Sequence, residues 1–301
     1  MDIRRILCPI DFSDASAHAL HQAGPLARWY GAPLTVLHVR PTVTPHPDMP
    51  ASGPVAPWLR AELDDLRQRV TETCHDLTAS GVAVETMATA GEPVHDILDC
   101  ARTLPADLLV MGTHGASGFQ HLVLGSVTEK VLRQAPCPVL TVPPRAHTSA
   151  TQFTHVLCAV DFSDCSLTAA SFAASLAKEA GAALTLVHVI EWPWHESARP
   201  DMAGVPAAQA HAFAEYRSYL ETSTKERLDE VAASAAGAGA AATSVRFGTP
   251  YVELLDVART VQSDLIVLGV RGRRAVDLAF FGSTANHVVR SASCPVLTIR
   301  T

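Results

Sequence analysis

Apolar residues in this chain fall into short continuous runs, separated by stretches in which they recur every three or four positions. Residues 5–10 make the first run, too short for a helix. Ser13 or Asp14 then caps a helix carried by Ala17, Leu20, Ala23 and Ala27. Leu34–Val39 reads as a second buried strand, and six prolines across residues 41–57 dictate an irregular loop. Leu59, Leu63, Leu66, Val70 and Leu77 return at helical spacing, a stripe of core packing. Val82–Ala88 is the third strand, Pro93 opens a helix through Ile97, Leu98 and Ala101, and Leu108–Met111 is the fourth strand. Val127, Val131 and Leu132 share one face of a last helix before strand five, Val139–Val142. Strands that are apolar throughout and alternate with helices belong to a parallel sheet covered on both faces.

The pattern then starts again. Residues 6–14 (Ile-Leu-Cys-Pro-Ile-Asp-Phe-Ser-Asp) return as residues 156–164 (Val-Leu-Cys-Ala-Val-Asp-Phe-Ser-Asp), identical at six of nine positions. Leu34–Val39 returns as Leu184–Val189 at the same offset of 150, and Cys137–Val142 as Cys294–Ile299 at an offset of 157. The register thus changes by seven residues inside the second half. A period this long makes each copy a whole domain, not a solenoid unit. The expected domains are 1–145 and 153–301, joined by a linker of Pro and small polar residues.

Charge and composition remove several function classes. The 301 residues carry 23 Lys and Arg against 30 Asp and Glu, a formal charge of −7, and 48% are hydrophobic. Packed cores are expected, and a disordered tail protein is not. The negative balance argues against a sequence-independent grip on nucleic acid, which needs clustered cations. No apolar run approaches the ~20 residues of a membrane span. The opening residues lack the long apolar region and small-residue cleavage site of a signal peptide, so a cytoplasmic location is expected. The seven cysteines are scattered with no C-x-x-C pair, which fits buried free thiols in a reducing compartment.

Candidate chemistry lies where the strands end. In an open parallel sheet, ligands sit at the carboxyl ends of the strands, where the strand order reverses. Asp11 and Asp161 follow the first strand of each half. The fourth strand of the first half opens into Gly112-Thr113-His114-Gly115, then nine residues, then Gly125-Ser126-Val127-Thr128 at a helix start. The second half repeats this as Gly269-Val270-Arg271-Gly272, nine residues, and Gly282-Ser283-Thr284. Glycines let backbone N–H groups approach an oxyanion, and a helix N-terminus adds unpaired donors. Asp11 taken alone reads equally as a helix cap. His38 and His188 lie within strands and read as fold residues, whereas His114 lies inside the loop. No metal-ligating His pair occurs, so no metal site is assigned, and Walker and G-x-G-x-x-G signatures are absent.

These motifs resemble the ATP-binding branch of the universal stress protein family. Its G-x2-G-x9-G-[ST] phosphate motif is matched in both halves, together with the Asp after strand one, the L-H-V ending strand two and the C-P-V-L of strand five. The resemblance implies two Rossmann-like domains of the adenine nucleotide alpha hydrolase type, each a five-stranded parallel sheet of order 3-2-1-4-5 with helices on both faces. It implies that Asp11 and Asp161 contact the nucleoside, that backbone near Val39 and Val189 holds adenine, and that the ligand is ATP, with or without Mg2+. It also implies an internal pseudo-dimer through Pro138–Val142 and Pro295–Ile299, which would cover two apolar edges; a further homodimer stays open, and the sequence names no protein partner. The expected role is regulatory or protective binding with no catalytic residue assigned. The rivals are a slow ATPase or self-phosphorylating protein using His114 or Ser126, and a nucleotide-free partner-binding module.

Overall fold

The computed structural model describes residues 2–42, 57–113, 124–144, 153–191, 207–237, 241–270 and 281–300. The chain divides into two compact units, one on each side of residues 151 and 152. The first unit runs β1 (Ile6–Ile10), α1 (Asp14–Tyr30), β2 (Leu34–Pro41), α2 (Pro57–Thr73), α3 (His75–Ala79), β3 (Val84–Gly91), α4 (Pro93–Thr103), β4 (Leu108–Gly112), α5 (Ser126–Gln134) and β5 (Val139–Val142). The second runs β6 (His155–Ala159), α6 (Asp164–Ala180), β7 (Ala183–Glu191), α7 (Ala207–Ala236), β8 (Ala242–Gly248), α8 (Pro250–Thr260), β9 (Leu265–Gly269), α9 (Ser283–Ser291) and β10 (Val296–Ile299).

Within the first unit the strands lie in the order β3-β2-β1-β4-β5, and within the second β8-β7-β6-β9-β10. The pairings β1–β2, β2–β3, β1–β4 and β4–β5 are parallel, as are β6–β7, β7–β8, β6–β9 and β9–β10. Both units therefore have the expected five-stranded order. Right-handed crossovers fix the layers. From β1 the chain steps one way through β2 to β3, then returns past β1 to β4 and β5. The helices of the outward steps and of the return steps must lie on opposite faces. Accordingly α4 packs on α5, α6 on α7, and α8 on α9. Strand β1 is buried at all five positions, and Leu7, Leu109, Leu157 and Ile266 have no exposed surface. Fully burying side chains of this kind contributes about 1.5–3 kcal/mol each.

A carboxylate fastens the first strand of each unit to the fourth at the amino ends. Asp107 accepts from the Arg4 and Arg5 N–H groups at 2.8 and 3.0 Å. Asp264 accepts from the Thr154 and His155 N–H groups at 2.7 and 3.0 Å. At its far end α1 stops at Gly31 and α6 at Gly181, with φ +61 and +65, the left-handed turn that releases the chain into the next strand.

Several boundaries differ from the pattern. The third strand is Val84–Gly91, not Val82–Ala88, because β2 offers a partner as far as Pro41↔Gly91. The stripe from Leu59 to Leu77 is two helices, α2 and α3, with Cys74 turned between them and buried. In α5 the inward positions are Thr128, Val131 and Leu132, while Val127 sits half-buried on the flank. The seven-residue change of register falls between β7 and β8, where α7 is 30 residues long against 17 for α2. Residues 43–56 of the proline-rich segment lie outside the described residues.

Six of the seven thiols are buried, and Cys100 is partly exposed. Burial pushes Cys74 and Cys294 up to about 11 and Cys137 up to about 12, and holds Cys8 and Cys158 well above the ordinary thiol range. Thiolate, the reactive form, is therefore scarce at neutral pH. An aromatic disulfide reagent at pH 8 should label at most one thiol per native chain quickly, at Cys100, and all seven after denaturation. Fast labelling of several thiols in the native protein would contradict this packing.

Candidate functional site

The carboxyl end of β1 turns through the same hydrogen-bonded corner in both units. Asp11 is exposed, and its Oδ1 accepts from the Ser13 N–H at 3.1 Å and from the Ser13 hydroxyl. Ser13, not Asp11 or Asp14, caps α1: its Oγ accepts from the Ser16 N–H at 3.2 Å. The Ser16 hydroxyl donates to the Ser13 carbonyl at 2.9 Å and accepts from the Asp11 N–H at 3.3 Å. Asp161, Ser163 and Ser166 reproduce each of these bonds, with α6 capped by Ser163. The cap reading of Asp11 therefore gives way to a carboxylate held by Ser13 at the carboxyl end of the central strand.

Between that carboxylate and its serine stands an unusual backbone. Phe12 has φ +61 and Phe162 φ +62, the left-handed region that bulky residues avoid at a cost on the order of 1–2 kcal/mol. Each ring rests 4.6 Å from a histidine ring, Phe12 on His38 and Phe162 on His188. The guanidinium carbons of Arg69 and Arg227 lie 4.5 and 4.1 Å from the same two ring centroids. An exposed cation–π contact contributes about 0.5–1 kcal/mol. Both histidines have fold duties: Nδ1 of His38 donates to the Ile10 carbonyl at 2.9 Å, and Nδ1 of His188 to Val160 at 2.6 Å. A carbonyl only accepts, so Nδ1 of each ring carries a proton. The sequence marked Asp11 and the histidines but missed the phenylalanine column; its signal was the repeated Asp-Phe-Ser run, in which a non-glycine stands at the turn.

The loop after β4 is closed at its base. The Gly125 N–H donates to the Thr113 carbonyl at 2.8 Å, and the Gly282 N–H to the Val270 carbonyl at 2.9 Å. Helices α5 and α9 thus begin beside the ends of β4 and β9. Gly125 and Gly282 cap them without any side-chain hydrogen bond, which leaves the first-turn N–H groups pointing off the helix end. Ser126 and Ser283 are exposed at these ends, and Val127 and Thr284 are half-buried. Thr128 instead faces inward, its hydroxyl donating to the Gly112 carbonyl at 2.9 Å and tying helix to strand, which leaves only its backbone N–H at the helix start. Residues 114–123 and 271–280, which include His114, Gly115, Arg271 and Gly272, lie outside the described residues.

A Cβ on Gly112 would lie 2.7 Å from the Ala15 carbonyl oxygen, and one on Gly269 would lie 3.0 Å from the Cys165 backbone. These two are needed because α1 and α6 start against the strand ends. That close packing, not approach to a phosphate, is their visible reason. Gly125 and Gly282 have φ −57 and −56, which any residue adopts, so backbone conformation does not demand glycine there. A Cβ on Gly282 would still lie 3.2 Å from the Val270 carbonyl oxygen, a tight contact that asks the neighbouring backbone to give by a few tenths of an ångström.

Strand alternation places Val39 and Val189. The Ile6 N–H donates to the Pro33 carbonyl at 3.1 Å, so odd-numbered residues of β2 turn their backbone groups toward β1. Val39 is the next odd residue beyond the last ladder pair, Ile10↔His38. In the second unit the Ala183 N–H donates to Thr154 and the Val160 N–H to the Val187 carbonyl, which turns Val189 toward β6. Both valines therefore direct backbone groups over the corner where the first strand has left the sheet.

Three comparisons bear on this geometry. A family model described as the universal stress protein family matches residues 2–143 and again residues 152–300. The chain belongs to that family. A universal stress protein of Mycolicibacterium smegmatis is 26% identical over 299 residues, covering 98% of this chain and 96% of that protein. One from Bacillus subtilis is 36% identical over 144 residues, 46% of this chain and 97% of its own length. Among solved structures, a universal stress protein from Archaeoglobus fulgidus superposes with a TM-score of 0.71 at 25% identity, covering all of this chain and 99% of that one. Both halves of this universal stress protein are thus matched together by a relative, over 96% of its length, and by a solved structure, over 99% of its chain.

Replacing Gly112 by Ala should force α1 away from β4 and lower stability by about 1–3 kcal/mol, the usual range for overpacking. Urea denaturation checks this, and an unchanged midpoint would mean that the close approach is not a packing constraint.

Proposed function

We propose that each half of this universal stress protein binds ATP, and that binding rather than turnover is its function. The observation that carries the reading is the repeated pairing, at the strand-order reversal, of a held carboxylate with a helix start whose N–H groups have no side-chain cap. Phosphate oxygens suit the ends of α5 and α9, where Ser126 and Ser283 add hydroxyl donors and Val127, Thr128 and Thr284 lie in the first turn. The helix dipole supplies only about 0.3–1 kcal/mol, up to ~2 when partly buried. Charge-assisted hydrogen bonds at about 1.5–3 kcal/mol each have to provide the rest. Gly115, Gly272, His114 and Arg271 belong to the proposed phosphate loops by their place in the motif.

The nucleoside end follows from the other groups. A carboxylate at Asp11 or Asp161 accepts from ribose hydroxyls. The Val39 and Val189 backbone suits adenine, whose exocyclic amino group donates to a carbonyl; guanine presents an acceptor at that position, and two acceptors repel. ATP is therefore preferred over GTP. Among the described residues no group of three or more His, Cys, Asp or Glu side chains could hold a metal, so Mg2+ would ride on the phosphates and water. Six buried free thiols suit a reducing compartment, and we propose the cytoplasm. Among the described residues no helix is long and apolar enough to cross a membrane.

Valine fits the backbone angles at Gly125 and Gly282 and adds a branched side chain at each helix start, where phosphate would lie; at Gly282 its Cβ also comes within 3.2 Å of the Val270 carbonyl oxygen, so circular dichroism must first show the variant folded. Calorimetry should find ATP binding by the parent, weaker binding of GTP, and ATP binding lost in the folded Gly125→Val, Gly282→Val double variant. ATP affinity equal to the parent's would overturn the phosphate assignment.

A further inference from the structure

We infer that Arg69 and Arg227 are positioning residues for the two sites, acting through Phe12 and Phe162 on the carboxylates of Asp11 and Asp161. The inference rests on the nucleotide reading proposed above.

A phenylalanine at φ +61 persists only where its neighbours over-determine it. Here the ring is held by two groups from different elements, the His38 imidazole on β2 and the Arg69 guanidinium on α2. The second unit builds the same column from Phe162, His188 on β7 and Arg227 on α7. The helices that deliver the arginines are not alike. Arg69 stands twelve residues after the start of α2, and Arg227 twenty after the start of α7. The two arginines are 158 residues apart, whereas the phenylalanines and the histidines are each 150 apart. The second helix has thus taken up an insertion and still sets a guanidinium over the same ring. Both arginines are exposed on their helices, so a contact with the corner is a specific placement and not a consequence of burial.

The route to the carboxylate is one residue long. The left-handed φ at residue 12 is what turns the Ser13 N–H and hydroxyl back onto Asp11 Oδ1. Rotating residue 12 to an ordinary φ would carry Ser13 away, releasing both the carboxylate and the cap that Ser13 gives to Ser16. Arg69 therefore acts on the nucleoside end of the site without touching it, and Arg227 does the same at Asp161.

The test uses the full-length Arg69→Gln, Arg227→Gln double variant beside Arg69→Lys, Arg227→Lys, which keeps a cation over each ring. Without ligand, hydrogen exchange at residues 11–17 and 161–167 should quicken in the Gln variant and stay near parental in the Lys variant. By calorimetry the Gln variant should bind ATP and AMP each about three- to fivefold more weakly, with the same factor at low and high salt. The Lys variant should recover most of that loss. Unchanged exchange at the two corners would overturn the inference. So would a loss confined to ATP that fades with salt, since that marks direct contact between guanidinium and phosphate. A parent protein that binds neither nucleotide would overturn the nucleotide reading and the positioning role with it, whereas a parent that binds both alongside an unaffected Gln variant would overturn the positioning role alone.

Discussion

A helix that begins directly against the end of a neighbouring strand leaves no room for a side chain between them. In this protein α1 starts over the last residue of β4, and α6 over the last residue of β9, with Gly112 and Gly269 at the points of contact. The rest of each unit follows from that approach. It brings the corner after the first strand beside the loop after the fourth, which are 101 residues apart between Asp11 and Gly112. The opposite end of the same strand pair is clasped by Asp107 and Asp264 through backbone N–H groups. Fastened at both ends, the central strands set the strand-order reversal that the candidate site occupies.

The corner itself is held by a small set of short-range bonds that recur wherever the Asp-Phe-Ser-Asp run recurs. Serine is needed twice, once to cap the helix and once to link the cap to the Asp11 or Asp161 N–H. The halves nevertheless differ around this shared frame. Thr128 fastens α5 to Gly112 in the first unit, where the second has Ala285 at the matching place. Ala15 is matched by Cys165, whose thiol donates to the Ile299 carbonyl at 3.1 Å. The two sites thus share a corner and a helix start while resting on different supports.

Most of the fold was legible because fully buried parallel strands read as unbroken apolar runs and because the repeat gave each run a second witness. What the pattern missed has physical causes. The third strand is an edge strand rich in Ala and Thr, so its extent is set by β2 and not by its own hydrophobicity. A helical stripe carries no mark of a break such as the one at Cys74, because Leu77 continues the spacing across it. At the site, glycine spacing pointed to the loop after the fourth strand but not to the reason for Gly112, since contact with Ala15 depends on a helix nearly a hundred residues away. Nor does local sequence reveal a left-handed phenylalanine whose ring meets His38 and Arg69, which arrive from other elements.

The central claim is that both units hold an adenine nucleotide, and mass spectrometry of the intact protein tests it most directly. Protein purified without added nucleotide and sprayed under native conditions should carry a mass excess of one or two adenosine phosphates per chain. Saturating ATP should bring the count to two, and denaturation should release only adenine nucleotides. A chain that runs at its bare mass, and stays there when ATP is added, would contradict the account.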